Sequence, residues 1–431
     1  MDPRGMKERQ ANFFRAPYSD PLRSIIAEVL NEFQNYETFF KLRNRKRKAV
    51  DQATLEATIS AVICDLTHCY LTEPGGAVFV SLSNQSLGRR WRYRSKAENK
   101  KLSDILSILS SPELNFIVME KGKKAELPDE QNQPIVKARR TTLRAAERLV
   151  RRIQNHNISL ADLTFSDEEE IIILKDKKKD SWINGQLVSS AELLNYNDNP
   201  IADRYRAELR EINSWLRSAD IQTLPQYNHR DVRLQRFFNN SSFEIGGRLF
   251  GGFWQSGMKA ADRHHSILID NEPIVVLDYG QMGVRLAYSH VGATPPNGDL
   301  YSIPNPIAAN RAGIKLLLSA AFFAESPQTR FPQGSRKYFH PKIKYEDVIR
   351  AVLNHHPALR GVVYKGLGHR FMFMESQILV ALLLELKRQG IVALPIHDAV
   401  IVSKKAKDAA SLAMKNIFYR MTGLEAGINV E

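Results

Sequence analysis

The sequence predicts an α+β fold: a mostly helical first half, then a half in which strand-like runs enclose helices. Two observations carry this. Apolar residues recur at helical spacing through much of the chain up to about residue 220. Further on, continuous apolar runs of strand length meet single carboxylates, at Asp278 and again at Asp398. The 431 residues are 43% hydrophobic and 25% charged, the make-up of a globular chain with a sizeable core. At roughly 100–200 residues per domain, about two to four structural units are expected.

Lys and Arg number 61 against 47 Asp and Glu, a net charge of +14. That balance favours a polyanionic partner, nucleic acid or an anionic surface, over a small acidic metabolite. The two cysteines, Cys64 and Cys69, exclude a disulfide-stapled secreted scaffold. No apolar run approaches the roughly 20 residues of a membrane span, so no membrane association is expected. Met1 to Gln10 is polar and charged, without the apolar core of a signal peptide. A cytoplasmic, reducing location is the default expectation.

Leu22, Ile25, Ile26, Val29, Leu30 and Phe33 predict an amphipathic helix over 20–40. Leu55 to Cys69 predicts a second helix, and Ala77 to Leu82 a short apolar strand. Ser83 to Arg90 predicts a short helix, and Lys101 to Ser110 another, with Leu102, Ile105, Leu106 and Leu109 inward. Leu114 to Glu120 reads as a strand entering the basic turn Lys121-Gly122-Lys123. Over about 50–125 this order resembles a winged helix, which lays one helix in the DNA major groove. The same elements also suit a helical accessory domain. Gly122 to Pro134 is polar, with Pro128 and Pro134, and reads as a linker or wing tip. Glu168 to Leu174 reads as a strand, Lys175 to Lys179 as a turn, and Ile183 to Val188, with Asn184-Gly185 inside, as a partner strand. Leu209, Ile212, Trp215 and Leu216 form a helical stripe in Arg204 to Ala219. A domain boundary is expected near residue 222, before Thr223-Leu224-Pro225.

Three basic runs occupy this half. Lys41 to Lys48 holds Lys41, Arg43, Arg45, Lys46, Arg47 and Lys48. Arg89, Arg90, Arg92, Arg94 and Lys96 interleave with Trp91 and Tyr93. Arg139, Arg140, Arg144, Arg148, Arg151 and Arg152 are spaced so that most share one helix face. One run alone reads equally well as a solvated face or a phosphate contact; three together favour phosphate contact. Cys64, His68 and Cys69 lack a fourth ligand at sensible spacing and read as packing residues. His264-His265 reads as a solvated turn.

Four segments carry the chemistry. Gly246-Gly247-Arg248-Leu249-Phe250-Gly251-Gly252 lets backbone approach a partner, with Arg248 and Gln255 as donors. Ile274 to Leu277 reads as a buried strand that ends on Asp278, a carboxylate aimed at a metal or a cap of the next turn. Arg311 and Lys315 are four apart and share a helix face ahead of Phe322 and Phe323, suited to a triphosphate and a base. His397-Asp398 sits between two strand-like runs, where a hairpin turn puts a second carboxylate at the surface of a sheet or bonds it locally. Two strand-borne aspartates separated by a cationic helix are what two-metal phosphoryl transfer needs. One ion activates the attacking hydroxyl and the other holds the triphosphate; the Arg and Lys meet the charge that develops on the leaving group.

In this order the segments resemble the polymerase module of family A DNA polymerases and of the related single-subunit RNA polymerases. Asp278-Tyr279-Gly280-Gln281 through Arg285 resembles motif A, Arg311 with Lys315 motif B, and His397-Asp398 motif C. Gly247-Arg248-Leu249 resembles the element that touches the template–primer, and Gln377 of Met374-Glu375-Ser376-Gln377 lies where the family places a template-contacting Gln. The likeness covers about residues 225–431.

The resemblance implies a right hand: a palm with an antiparallel sheet over 223–300 and 386–431, fingers over 301–385, and a thumb with any targeting module within 1–222. It implies DNA template–primer and nucleoside triphosphates as partners and two Mg²⁺ ions, with Mn²⁺ as a substitute. Asp278, Asp398 and the Tyr279 carbonyl would hold the metals; Arg311, Lys315, Phe323, Gln281 and Gly283 would meet the nucleotide; Arg248, Gln255, Arg285, Gln377 and His397 would meet the template–primer. Between residues 301 and 372 eleven Lys or Arg face only Glu325, Glu346 and Asp347, which suits such fingers.

The chain departs from the family at the usual motif A Glu, here Gly283, and at the end of motif B, here Phe323-Ala324. Both changes point to weak sugar discrimination and acceptance of ribonucleotides. The usual Glu after His-Asp is Ala399, and 86 positions separate Arg311 from His397, so the fingers are short. Asp167-Glu168-Glu169 reads as an acidic turn: 111 positions before Asp278 cannot hold both a thumb and an exonuclease. Two alternatives stand beside this reading, a primase or RNA polymerase and a non-catalytic DNA-binding replication initiator. Oligomeric state is left open.

Overall fold

The structure is a computed structural model that describes residues 8–123, 139–183, 186–255, 258–305, 307 and 310–431. Most of the expected Gly122–Pro134 linker and the Asn184-Gly185 pair lie outside them. The fold is mixed α and β. It divides into two compact units, Met1–Glu170 with Leu224–Asp231, and Ile171–Thr223 with Val232–Glu431.

The first unit opens on strands β1 (Glu8–Gln10) and β2 (Arg15–Pro17) and two long helices, α1 (Asp20–Phe39) and α2 (Ala49–Thr72). Ser19 caps α1 by accepting from the Leu22 N–H, with Pro21 in the first turn. Leu22, Ile25, Val29 and Phe33, spaced three and four apart, form its buried stripe. Helix α2 is buried on most sides, through Leu55, Ile59, Val62, Ile63 and Leu66. There follow β3 (Ala77–Val80), α3 (Asn84–Gly88), α4 (Leu102–Leu109), β4 (Ile117–Glu120), β5 (Thr141–Ala145), α5 (Glu147–Asn155) and β6 (Leu163–Phe165). The sheet runs β1-β3-β5-β4, with β1 parallel to β3 and the other pairs antiparallel.

The third basic run does not share one helix face. Arg144 lies on β5, whereas Arg148, Arg151 and Arg152 lie on α5. Leu143 decides this: it is fully buried at the centre of a strand that pairs on both sides. Asp65 of α2 is buried and takes Arg9 at 2.7 Å and Arg15 at 3.1 Å, which ties the start of the chain to the core. Cys64 and Cys69 are buried free thiols. Asp167 and Glu168 form a turn, in which Glu168 pairs with Lys96, while Glu170 just beyond pairs with Arg92.

The second unit begins with β7 (Ile172–Leu174), the hairpin β8 (Lys179–Ile183) and β9 (Gln186–Ser190), α6 (Pro200–Ser218) and β10 (Ile221–Gln222). Residues 171–223 belong here and not before a boundary at 222. The reason is pairing: β7 runs parallel to β11 (Leu234–Phe238), and β10 pairs with β13 (Leu268–Ile269). β11 also pairs with β12 (Gly246–Gly251). The glycine-rich segment is therefore a strand over Gly246–Gly251. Gly251 shows why glycine is needed: its φ is +115°, and a Cβ there would lie 2.0 Å from the Arg233 carbonyl oxygen.

After α7 (Ala260–Ser266) comes β14 (Glu272–Gly280), then α8 (Met282–His290), α9 (Arg311–Phe323), α10 (Tyr345–His355) and α11 (Gly368–Arg388). The chain closes with β15 (Ala393–Ile396), β16 (Ala399–Ser403), α12 (Lys407–Thr422) and β17 (Gly427–Val430). The main sheet runs β10-β13-β14-β16-β15, with β17 also on β14, and every pairing is antiparallel. Helix α11 is the central prop, with Phe371, Ile378, Leu379, Leu382 and Leu383 buried; it packs against β12, α6, α8 and α12.

Candidate functional site

The longest strand sets the site. In β14 the apolar Ile274, Val276 and Leu277 are buried, and Asp278 follows them, opposite Ala399 of β16 and Asn429 of β17. Asp398 immediately precedes β16 at the turn from β15, where His397 takes a left-handed φ of 54°. The Tyr279 N–H donates to the Asp398 carbonyl oxygen at 3.3 Å. Sheet register thus brings together two aspartates that are 120 residues apart in sequence.

The electrostatics follow. Burial, and next the charge of Asp398, push the Asp278 carboxyl up to about 6, against the side-chain hydrogen bond with Asn429. Lys315 of α9 lies near enough to act in the opposite sense. Arg248 of β12 makes a two-pronged contact with Glu375 of α11, at 2.7 and 3.0 Å. Burial holds the Glu375 carboxyl above its usual range although Arg248 opposes this. The Arg248 side chain also feels Asp398, and the Phe250 ring packs edge-on to His397 at 5.6 Å. The structure therefore gathers Asp278, Asp398, Lys315, Arg248 and His397.

The remaining expected residues are placed differently. Arg311 is paired to Asp299 and lies over the Tyr301 ring at 5.4 Å. Gln281 donates to Asp299 at 3.0 Å and accepts from the Leu300 N–H at 3.2 Å. Gln255 donates to the Pro395 carbonyl at 2.6 Å. Arg285 donates to the Gly280 and Glu425 carbonyls at 3.3 and 2.9 Å. Gln377 donates to the Tyr205 hydroxyl at 3.2 Å. Phe323 ends α9 with its ring 4.9 Å from that of His369, stacked against Gly368. A Cβ on Gly283 would meet nothing within 4 Å.

Three features around these residues carried no usable sequence signal. Asp299 lies in an Asn-Gly-Asp turn outside any motif. Glu375 stands two residues before Gln377, but only the pairing with Arg248 reveals its part. The turn after β7 also contributes: a cleft of about 630 Å³ is lined by Lys175, Lys178, Arg248, Phe250, Phe323 and His369. Lys175 lies over the Phe237 ring at 4.7 Å, and His369 Nδ1 is buried without a hydrogen-bond partner.

Two carboxylates side by side form a hard oxygen donor set suited to Mg²⁺ or Mn²⁺. The fit rests on their mutual repulsion, which a divalent cation would relieve. Among the described residues no group of three or more His, Cys, Asp or Glu gathers to hold a metal, so this acidic set is a pair.

No family model matches the sequence, and no curated protein matches it. Among solved structures, the POL domain of Pol1 from M. smegmatis, in complex with DNA primer–template and dNTP, is similar at a TM-score of 0.32 and 12% identity. The likeness covers 53% of this chain and 50% of that one, so this chain spans half the length of that structure, and it is too distant to fix the fold.

Proposed function

We propose that the second unit is a template-directed nucleotidyltransferase, a compact DNA polymerase of family A type arranged as a right hand. One observation carries the reading: sheet register sets Asp278 beside Asp398, with Lys315 of a separate helix acting on the same carboxylate. In this reading β14, β16 and β15 belong to the palm, over 223–300 and 386–431, and α9 to the fingers, over 301–385.

Asp278, Asp398 and the Tyr279 carbonyl would hold two Mg²⁺ ions, which supply activation of a 3′-hydroxyl and neutralisation of the leaving pyrophosphate. The chain's own side chains position the substrates. Lys315 directs one cation at the triphosphate, and Arg311 a second once Asp299 releases it. Phe323 offers a half-exposed ring, 40% accessible, to the incoming base pair. Arg248, fixed by Glu375, presents its guanidinium beside the acidic pair, where primer and template meet. The Lys175–Lys178 cleft, lined by Phe250, Phe323 and His369, suits a nucleic-acid strand.

The open space at Gly283 favours a second, narrower reading: no side chain there obstructs a 2′-hydroxyl, so ribonucleotides are accepted. Extension of a labelled primer on DNA and RNA templates, with deoxy- and ribonucleotides in parallel and a no-primer control, tests both. Asp278→Ala and Asp398→Ala abolish extension and leave DNA binding within about twofold, since neither carboxylate attracts phosphate. Extension by either variant refutes the assignment. A deoxynucleotide preference above about a thousandfold, or about 4 kcal/mol, sinks the ribonucleotide reading alone.

A further inference from the structure

The three basic runs of the first unit meet different fates. Arg139 and Arg144 hold Glu120, Arg148 and Arg152 hold Glu32, and Arg151 holds Glu147. Arg92 and Lys96 of the second run hold Glu170 and Glu168. Arg89 and Arg90 of that run are exposed without an ion pair among the described residues, but the run at the elbow between α1 and α2 goes further, with five of its six cations unpaired. Among the described residues, Lys41, Arg43, Arg45, Lys46 and Lys48 are exposed and make no ion pair. Their sixth member, Arg47, is bound to Glu37 and anchors the elbow, and Gln34 donates to Gln52 across the two helices at 3.1 Å.

The same elbow exposes apolar side chains. Phe39 is 79% accessible and Val50 77%, with Phe40 edge-on to Phe39 at 5.0 Å. Beside them opens a cleft of about 540 Å³, in which Gln34, Thr38, Asn44 and Gln52 stand among the cations. Five uncompensated cations fit a row of phosphates. An exposed phenyl ring fits a base face, which a duplex hides and a single strand offers. Amide and hydroxyl groups in a concave floor fit phosphate oxygens and base edges. An anionic bilayer would instead meet a convex apolar face.

We propose that the α1–α2 elbow is a docking site for single-stranded nucleic acid, its cations on the phosphates and Phe39 stacked on a base. It does not rest on the chemistry assigned to Asp278 and Asp398. The test uses the full chain and oligonucleotides of about 20 nucleotides, as single-stranded DNA, single-stranded RNA and duplex. Replacing Lys41, Arg43, Arg45 and Lys46 together by Gln lowers the slope of log Kd against log salt for single strands by about 3. Phe39→Ala weakens single-strand binding by about fivefold or more at an unchanged slope. An iodouracil-bearing oligonucleotide cross-links to the peptide that holds Phe39 and Phe40, and loses that cross-link in the Phe39 variant. Every substituted side chain is exposed and Arg47 is kept, so melting temperatures stay unchanged. An unchanged salt slope, or cross-links confined to the second unit, overturns the proposal. So does an equal loss of duplex binding in Phe39→Ala. If the variants lose affinity for phosphatidylserine vesicles while oligonucleotide binding stands, the elbow is a membrane contact and the proposal fails.

Discussion

A carboxyl withdrawn from water beside a second carboxylate resists ionisation, and Asp278 is held at about 6 for both reasons. The folded value lies above the ordinary 3.8, so the folded state binds this proton more tightly than the unfolded chain. Stability from this group is complete below about pH 4 and is lost as pH rises towards 6. In metal-free buffer with a chelator, Asp278→Asn therefore melts higher than the parent at pH 7.5, and the two melt together at pH 4. Thermal melts across that range check this. A gap that persists at pH 4 contradicts the cause assigned. Added Mg²⁺ raises the parent's melting temperature and leaves the variant nearly unmoved.

Helix α9 illustrates how an element is placed. Asn310 caps it by accepting from the Gly313 N–H at 2.9 Å. Its buried face is Ile314, Leu317, Leu318, Ala321 and Phe322, so Arg311 and Lys315 are left exposed on the other side. Gly313 lies between those two cations because a Cβ there would come within 2.6 Å of the Phe339 ring. Alanine in a helix usually gains up to about 1 kcal/mol over glycine. Here the clash exceeds that gain, since backbone or a packed ring must shift. Gly313→Ala is expected to destabilise by about 1–3 kcal/mol and to lower extension along with it. Urea denaturation measures the first and the primer assay the second; a more stable, fully active variant refutes this packing account.

At the scale of the whole molecule, two compact units predict two unfolding transitions in calorimetry, not one. The chain passes between them more than once. Residues 224–231 return to the first unit, where the Asn228 amide donates to the Leu163 carbonyl at 3.2 Å and Arg230 covers the Tyr18 ring at 3.5 Å. Asp65 is the deepest charge of that unit, with Arg9 and Arg15 on it. Removing one partner of a buried ion cluster costs about 3–5 kcal/mol. Asp65→Ala is expected to lower one transition by that much and leave the other in place, while Asp278→Asn moves the other. A single transition shifted by both would refute two independent units.

Much of this was legible in the sequence. The amphipathic stripe of α1, the strand that ends near Asp278, the spacing of Arg311 and Lys315, and the His397-Asp398 turn all show as local periodicity, which depends on near neighbours alone. The rest was set by contacts between distant residues. Whether the 139–152 arginines share a helix was decided by Leu143, which needs a strand on either side to bury it. Which runs stay free for a polyanion was decided by Glu32, Glu120, Glu168 and Glu170, carboxylates far from most of those cations in sequence. The same holds for Glu375 under Arg248 and Asp299 under Arg311. The sequence by itself determined the two aspartates, the paired cations of α9 and the excess of positive charge. Only the tertiary structure decided that the aspartates are neighbours and which cations remain unpaired, because register and ion pairing are long-range and a charge does not reveal its partner from its own position in the chain.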